Sequence, residues 1–273
     1  MNRPHTARDY ARRLDRVAAH IWAHLDEDLD LGVLAEIACF SPYHFHRIYR
    51  AVLGETVAET VARLRLQRAS MALARSEAPI RRIAQAAGYG SVPAFTRAFR
   101  AAYGQTPAAF RSRRRHPQDT AMTVDIRDCP PLRIACVTHK GPAPEIGEAF
   151  DRLMAWAGPR GLAGGEHLGV AVYLSDMATT PPAEQIALAG LTIEPDFQVD
   201  GAVETFDIQA GPYAVLLHAG PYATLGQSYD ALFAWLTASL HSPAHAPCIE
   251  VNLNDPRRTA PEALMTEIRL PLA

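Results

Sequence analysis

The 273-residue chain has no run of about 18 apolar residues, so no helix in it is built to cross a membrane. The first residues, MNRPHTARDYARRLDR, lack the apolar segment of a signal peptide. Cysteine is sparse: Cys39, Cys129, Cys136 and Cys248 are scattered, with no CxxC pair. That excludes a disulfide framework and a cysteine zinc site, and points to a cytoplasmic protein with reduced thiols. There is no glycine-rich phosphate loop and no GxSxG nucleophile elbow. His44 and His46 stand two apart on a helix and cannot converge on a metal, while His241 and His245 have the right spacing but the prolines between and after them, in HSPAHAP, break a helix. No metal, no cofactor and no catalytic residue is therefore expected. With 48% hydrophobic and 21% charged residues, the chain is globular rather than disordered.

What is present is unevenly distributed. Residues 1–119 carry 19 Arg against 11 Asp and Glu, a net of +8, and residues 120–273 carry 8 Lys and Arg against 18 acids, a net of −10. A basic half beside an acidic half implies two domains with different partners, the basic one suited to a polyanion.

The basic half is organised around a duplicated stretch. SVPAFTRAFR (91–100) repeats SPYHFHRIYR (41–50) at a shift of 50, pairing Phe45 with Phe95, Arg47 with Arg97 and Arg50 with Arg100. Gly54 and Thr56 fall on Gly104 and Thr106. Ser41 and Ser91 suit helix N-caps, Pro42 a first helical position, and Gly54 a helix stop. Apolar spacing predicts helices over 8–25, 31–38, 42–52 and 56–75, then one from Pro79 and one from Ser91. Helix 56–75 reads as a stiff spacer of about 30 Å, with Arg63, Arg65 and Arg68 on its more exposed side.

A short helix, a turn and a helix, given twice, suggest two helix-turn-helix units. The first exposed side chains of each second helix would then reach base edges: Tyr43, His46 and Arg47 in one unit, Val92, Pro93, Thr96 and Arg97 in the other. Arg47 and Arg97 suit guanine, and Val92 and Pro93 offer only apolar contact. Arg50, Arg81, Arg82 and Arg100 are placed for phosphates. LAEIACFSPYHFHRIYR through IAQAAGYGSVPAFTRAFRAAYGQTPAAFR resembles the DNA-binding domain of the AraC/XylS regulators, and the resemblance covers roughly residues 10–113. The resemblance implies two subdomains joined by a linker helix and entering successive major grooves of double-stranded promoter DNA.

HPQDTA (116–121) reads as a linker, which gives a first domain over 1–115 and a second over 122–273. The acidic half also repeats. At a shift of 79, HKGPAPEIGEAFDRLMAW (139–156) falls on HAGPYATLGQSYDALFAW (218–235). Strand signals lie at 122–127, 133–139, 168–174 and 187–193, and a helix at 144–157. Two related units are expected to pack face to face about a pseudo-two-fold axis, with a cleft between them.

One residue breaks the repeat. Glu250 sits mid-strand in CIEVNL, where the shift of 79 gives Ala171 in the other copy. Alternation places it on one face with Cys248 and Asn252. A half-solvated strand face accepts a glutamate as readily as a pocket does. Aromatic candidates for a pocket are Trp235, Tyr222, Tyr229, Phe233 and Tyr173, with Trp156 equally suited to the core. VETFDIQAGPYAVLLHAGPYATLGQSYDALFAWL and CIEVNLNDPRRTAPEALMTEIRLPL resemble the GyrI-like effector-binding domain. The resemblance implies a pseudo-symmetric α/β pocket in which, among multidrug-sensing members, the acid at the position of Glu250 faces the ligand. Asn252 stands where that family often has Tyr.

The expected architecture is therefore multidomain: an all-α double helix-turn-helix domain, then an α+β pseudo-two-fold domain with an antiparallel sheet. The expected function is a cytoplasmic transcription regulator, not an enzyme, that binds a small lipophilic or cationic effector and meets RNA polymerase. The alternative is a small-molecule hydrolase, with Glu250 as general base, or a compound-sequestering protein, fused to a DNA-binding domain.

Overall fold

The computed structural model describes residues 3–115, 122–163, 166–177 and 179–273. The expected linker at 116–121 lies outside them. Seven helices precede the sheet domain: α1 (Arg3–Ala23), α2 (Leu31–Ile37), α3 (Pro42–Leu53), α4 (Val57–Arg75), α5 (Ile80–Ala86), α6 (Val92–Tyr103) and α7 (Pro107–Arg115).

Their ends follow from local chemistry. Asp30 caps α2 by accepting from the Gly32 and Val33 amides, and Ser41 and Ser91 cap α3 and α6 through the His44 and Ala94 amides. Gly54 and Gly104, at φ 78° and 67°, end α3 and α6 in the left-handed conformation. Thr56 and Glu59 form a reciprocal capping box that starts α4. The first helices of the two units are related by 49 residues (Leu31 to Ile80) and the second by 50 (Pro42 to Val92), so the second turn is one residue longer.

α4 belongs to both helical cores. Val57, Val61 and Leu64 pack with Phe45 and Tyr49 of the first unit, and Leu66, Ala69 and Leu73 with Phe95 and Phe99 of the second. One expectation for α4 is corrected. Arg63 is not on an exposed side: its guanidinium is paired with Glu55 at 2.6 Å and with Asp151 at 3.5 Å, because the second domain docks there.

Residues 122–273 form an eight-stranded antiparallel sheet. The first copy supplies β1 (Val124–Cys129), β2 (Leu132–Lys140), α8 (Gly147–Ala157), β3 (Gly169–Tyr173) and β4 (Ile186–Thr192). The second supplies β5 (Glu204–Ile208), β6 (Gly211–Ala219), α9 (Leu225–Ala238), β7 (Cys248–Asn252) and β8 (Met265–Pro271). The shift of 79 carries the first residues of β2, β3 and β4 onto those of β6, β7 and β8. The strand order is β1-β6-β8-β7-β3-β4-β2-β5. The copies meet at the central β3–β7 pairing and also exchange their first strands, β1 pairing with β6 and β5 with β2.

This order forces the sheet to curl. Cys129 ends β1 and Leu132 begins β2, so the two strand ends are within about 11 Å along the chain. Six strand spacings in a flat sheet would put them about 29 Å apart. The two halves therefore come round to face each other over a shared cluster that includes Ile134, Val170, Val172, Val215, Ile249 and Val251. β-branched side chains from both copies fill this concave side, and the expected cleft between the copies lies on the other face of the sheet, where residues of both line a cavity.

The domains are closely docked through α8. Ala155 of α8 enters the first helical core, and Ala11 of α1 enters the core beneath α8. Trp22 donates its indole N–H to Asp151 at 2.8 Å, Arg152 pairs with Asp15 at 2.8 Å, and Arg8 pairs with Asp200. Gly158 is needed at the contact, because a Cβ there would lie 2.4 Å from the Val52 carbonyl oxygen.

Candidate ligand cavity and nucleic-acid interface

The structure places the residues expected to face DNA at the surface. Tyr43, His46 and Arg47 are exposed on the first turns of α3, and Pro93 and Arg97 on those of α6, with Val92 and Thr96 half-buried beside them. Tyr43 and Arg47 are four residues apart, and the Arg47 guanidinium donates to the Tyr43 hydroxyl at 2.9 Å. Its carbon lies 5.6 Å from the ring centroid of Tyr43. Arg47 is thus held extended along the helix before any partner arrives. Arg50, Arg81, Arg82 and Arg100 are all exposed. Phe45, Tyr49, Phe95 and Phe99 point the other way and fix both helices on their cores.

On the helix-bearing face of the sheet lies a cavity of about 1220 Å³. Strand alternation builds its floor. Cys248, Glu250 and Asn252 of β7 and Gly169 and Tyr173 of β3 line it, while Ile249, Val251, Val170 and Val172 turn into the core on the far side. Helices α8 and α9 form two walls, with Phe150 of one copy and Tyr229 of the other at repeat-equivalent positions.

Glu250 is only 6% exposed, and the Tyr229 hydroxyl donates to its Oε1 at 2.8 Å. The Tyr173 hydroxyl bonds the same carboxyl. Burial raises the pKa of Glu250 above the ordinary carboxylate value, against the two hydrogen bonds, which favour the ionised form. Both groups that stabilise the charge are neutral phenols. Burial, and then the neighbouring Glu250 charge, push Tyr173 and Tyr229 well above the usual phenol range, and the Cys248 thiol is pushed up to about 12. A buried carboxyl held by two phenols and no basic side chain can accept a cation or a hydrogen-bond donor from a ligand.

Of the residues expected at the effector site, the structure brings together Glu250, Tyr173, Tyr222, Tyr229 and Phe233. Trp235 is corrected: it stacks on His241 with centroids 5.9 Å apart and packs in the core beneath α9. The reason is helical phase. Tyr229 and Phe233 are four residues apart and share a face, and two residues further the helix has turned Trp235 about 200° away. Trp156, its equivalent, is also core and donates its indole N–H to Asp200 at 2.8 Å. Asn252 accepts a hydrogen bond from Thr266 at 3.1 Å, and the phenols beside Glu250 come instead from Tyr173 of the first copy and Tyr229 of α9.

Other lining residues escape sequence reasoning. Phe150 could be found from its equivalence to Tyr229. Gln67 and Met71, from α4 of the helical domain, also line the cavity, and no motif marks them. Beside them Asp151 is largely buried. Burial raises its pKa, against the opposing pull of Arg63 and the Trp22 hydrogen bond. Burial by itself would lower Arg63, but Asp151 and Glu55 hold it above its ordinary value.

Among the described residues no helix is long and apolar enough to cross a membrane, and no group of three or more His, Cys, Asp or Glu side chains could hold a metal ion.

Residues 122–273 match the GyrI-like small molecule binding domain, and residues 34–113 match a helix-turn-helix domain. The chain is 34% identical over 76 residues to the regulatory protein SoxS of Salmonella typhimurium, covering 28% of this chain and 71% of SoxS. It is 34% identical over 116 residues to the right origin-binding protein of Escherichia coli, 42% of this chain and 38% of that protein. It is 32% identical over 108 residues to the MmsAB operon regulatory protein of Pseudomonas aeruginosa, 40% of this chain and 35% of that protein. This chain therefore spans about a third of the length of the MmsAB operon regulatory protein.

Proposed function

The chain belongs to the GyrI-like family of small-molecule-binding domains, joined to an AraC-type helix-turn-helix domain, and from that premise we propose that it is a cytoplasmic transcription regulator controlled by a small effector. The helical domain binds promoter DNA through α3 and α6, with Tyr43, His46 and Arg47 reading bases in the first unit. Thr96 and Arg97 do so in the second, beside the apolar Val92 and Pro93. Arg50, Arg81, Arg82 and Arg100 grip phosphates. RNA polymerase is the further partner of the DNA-bound form. The relatives named as regulatory proteins support this reading.

The observation that carries the effector half is Glu250. It is buried at the floor of a large cavity, bonded by Tyr173 and Tyr229, with Tyr222 and Phe233 beside it. This suits a lipophilic cation or an amphiphile with a hydrogen-bond-donating head. The test is calorimetric titration with n-alkyltrimethylammonium ions. Binding that is strong in the wild type and weakened in Glu250→Gln supports the reading; equal binding by both proteins would remove Glu250 from the site.

A second reading is favoured by the same two phenols. A carboxylate of raised pKa beside Tyr hydroxyls in an enclosed site can act as a general base toward water attacking an electrophilic compound. Product formation that is abolished in Glu250→Gln would select the hydrolase; stoichiometric binding without product selects the sensor.

A further inference from the structure

The cavity is not made by the sheet domain alone. Arg63, Gln67, Met71 and Arg75 of α4 line it together with Glu250. They are spaced by four, so they form one continuous stripe of about 18 Å along the helix. The other sides of α4 are committed to the cores of both helix-turn-helix units. A single helix thus faces the cavity on one side and holds both reading heads on the others.

The cavity walls reach the two heads separately. On the first copy, α8 carries Phe150 and Asp151 into the cavity while Ala155 sits in the core of the first head. On the second copy, Tyr222 lines the cavity while its neighbour Ala223 packs against the core of the second head. The docking is specific to each copy. Gly147 and Gly158 lie hard against Trp22 and Val52, whereas the repeat equivalents are Gly226, with nothing near its missing Cβ, and Thr237, which is exposed. Of the two equivalent helices, α8 is the one whose glycines lie against the helical domain, and that seating helps to keep α4 over the cavity.

We propose that α4 is part of the effector site, with Met71 and Gln67 touching the body of a ligand whose head is held by Glu250. A ligand long enough to reach α4 is then sensed by the helix that sets the placement of α3 relative to α6. The inference rests on the reading that this cavity binds a small molecule. It assigns ligand contacts to a helix of the DNA-binding domain and makes ligand length, as well as head-group charge, a determinant of response. By linkage, a ligand that touches α4 differently in the free and DNA-bound states changes DNA affinity by the same factor by which DNA changes its own.

The experiment is calorimetry on the full chain with butyl-, octyl- and dodecyltrimethylammonium, each below its micelle concentration, for wild type, Glu250→Gln, Met71→Ala and Gln67→Leu. Each methylene that becomes buried strengthens binding by about fourfold, so a truncated contact at Met71 is expected to cost the dodecyl ion about fivefold to tenfold. The butyl ion, the shortest of the three, is expected to bind Met71→Ala as it binds wild type. Glu250→Gln is expected to weaken all three ions alike. If Met71→Ala does not fold, Gln67→Leu takes its place, with the dodecyl ion alone changing affinity. Wild-type and α4-variant proteins that bind the whole series identically, while Glu250→Gln loses it, would overturn the inference and leave the binding site intact. A wild type that binds none of the three would overturn the cation-binding reading and the inference with it.

Discussion

Ala171 and Glu250 stand directly opposite each other in the β3–β7 pairing, and the shift of 79 residues exchanges them. The pseudo-two-fold axis passes between the two side chains. A carboxylate in both copies would place two like charges face to face on a buried surface, which is destabilising. A methyl group on one side of the axis leaves room for the carboxyl on the other. The duplication thus keeps the symmetric frame and gives up symmetry at the one point where it would cost most.

Glu250 makes stability depend on pH. Its folded-state pKa lies above the ordinary value of 4.5, so between 4.5 and that raised value the folded chain holds more protons than the unfolded one. Stability then falls as pH rises through this window, and the loss is complete above it. A tenfold difference in proton affinity between the folded and unfolded chains is worth about 1.4 kcal/mol. Glu250→Gln is expected to melt with the wild type near pH 4 and roughly 2–4 °C higher at pH 8 for each kcal/mol so lost. Melting curves that stay parallel across that range would show that the carboxyl is not held protonated.

Cation binding should have the opposite dependence. Only the ionised carboxylate attracts butyltrimethylammonium, so affinity is expected to rise with pH through the raised pKa and then level off. Below that point it should change about tenfold for each step of one in pH, and Glu250→Gln should be flat. Titrations at four pH values check this.

On the DNA side, Arg47 and Arg50 are expected to behave differently although both are exposed on α3. A duplex selected from a random pool against the protein supplies the probe. Arg47→Ala should cost about 1–3 kcal/mol and relax base preference at one position. Arg50→Ala should weaken all duplexes alike and lower the salt slope by about one. Fluorescence anisotropy across a salt series separates the two. Identical effects from both variants would sink the division between base and phosphate contacts.

Domain docking is tested at Gly158, where a side chain would meet the Val52 carbonyl. Wild type is expected to unfold in denaturant as one unit, and Gly158→Val to unfold in two steps and to open the α1–α8 contact to proteolysis. Thr237→Val, at the equivalent exposed position, should leave unfolding within about 0.5 kcal/mol of wild type.

What is legible in the chain differs from residue to residue. Ser41, Gly54, Thr56 and their echoes mark helix ends because capping is local chemistry within three or four residues. Glu250 is visible because a repeat supplies its own control, Ala171, against which a charged residue stands out. Tyr229 and Phe233 fall on the cavity face and Trp235 does not; all three are aromatic residues of one helix, and only helical phase separates them. Arg63 reads as a solvent residue because, besides the nearby Glu55, the surface that covers it brings Asp151 from 88 positions away. Met71 reads as core because an apolar residue on a helix has the same pattern whether it meets another helix or an enclosed cavity. The docking of the domains depends on small residues, Gly147, Gly158 and Ala155, whose role is to leave space, and residue type alone does not reveal where space is needed.

The exchanged first strands have a mechanical consequence. Because β1 is laced into the second half and β5 into the first, the copies cannot part like jaws without tearing three separate ladders of backbone hydrogen bonds. The floor of the cavity is in effect a fixed anvil. Guests of different size must be accommodated above it, by the side chains and small displacements of α4, α8 and α9, and two of these, α4 and α8, bear on the reading heads.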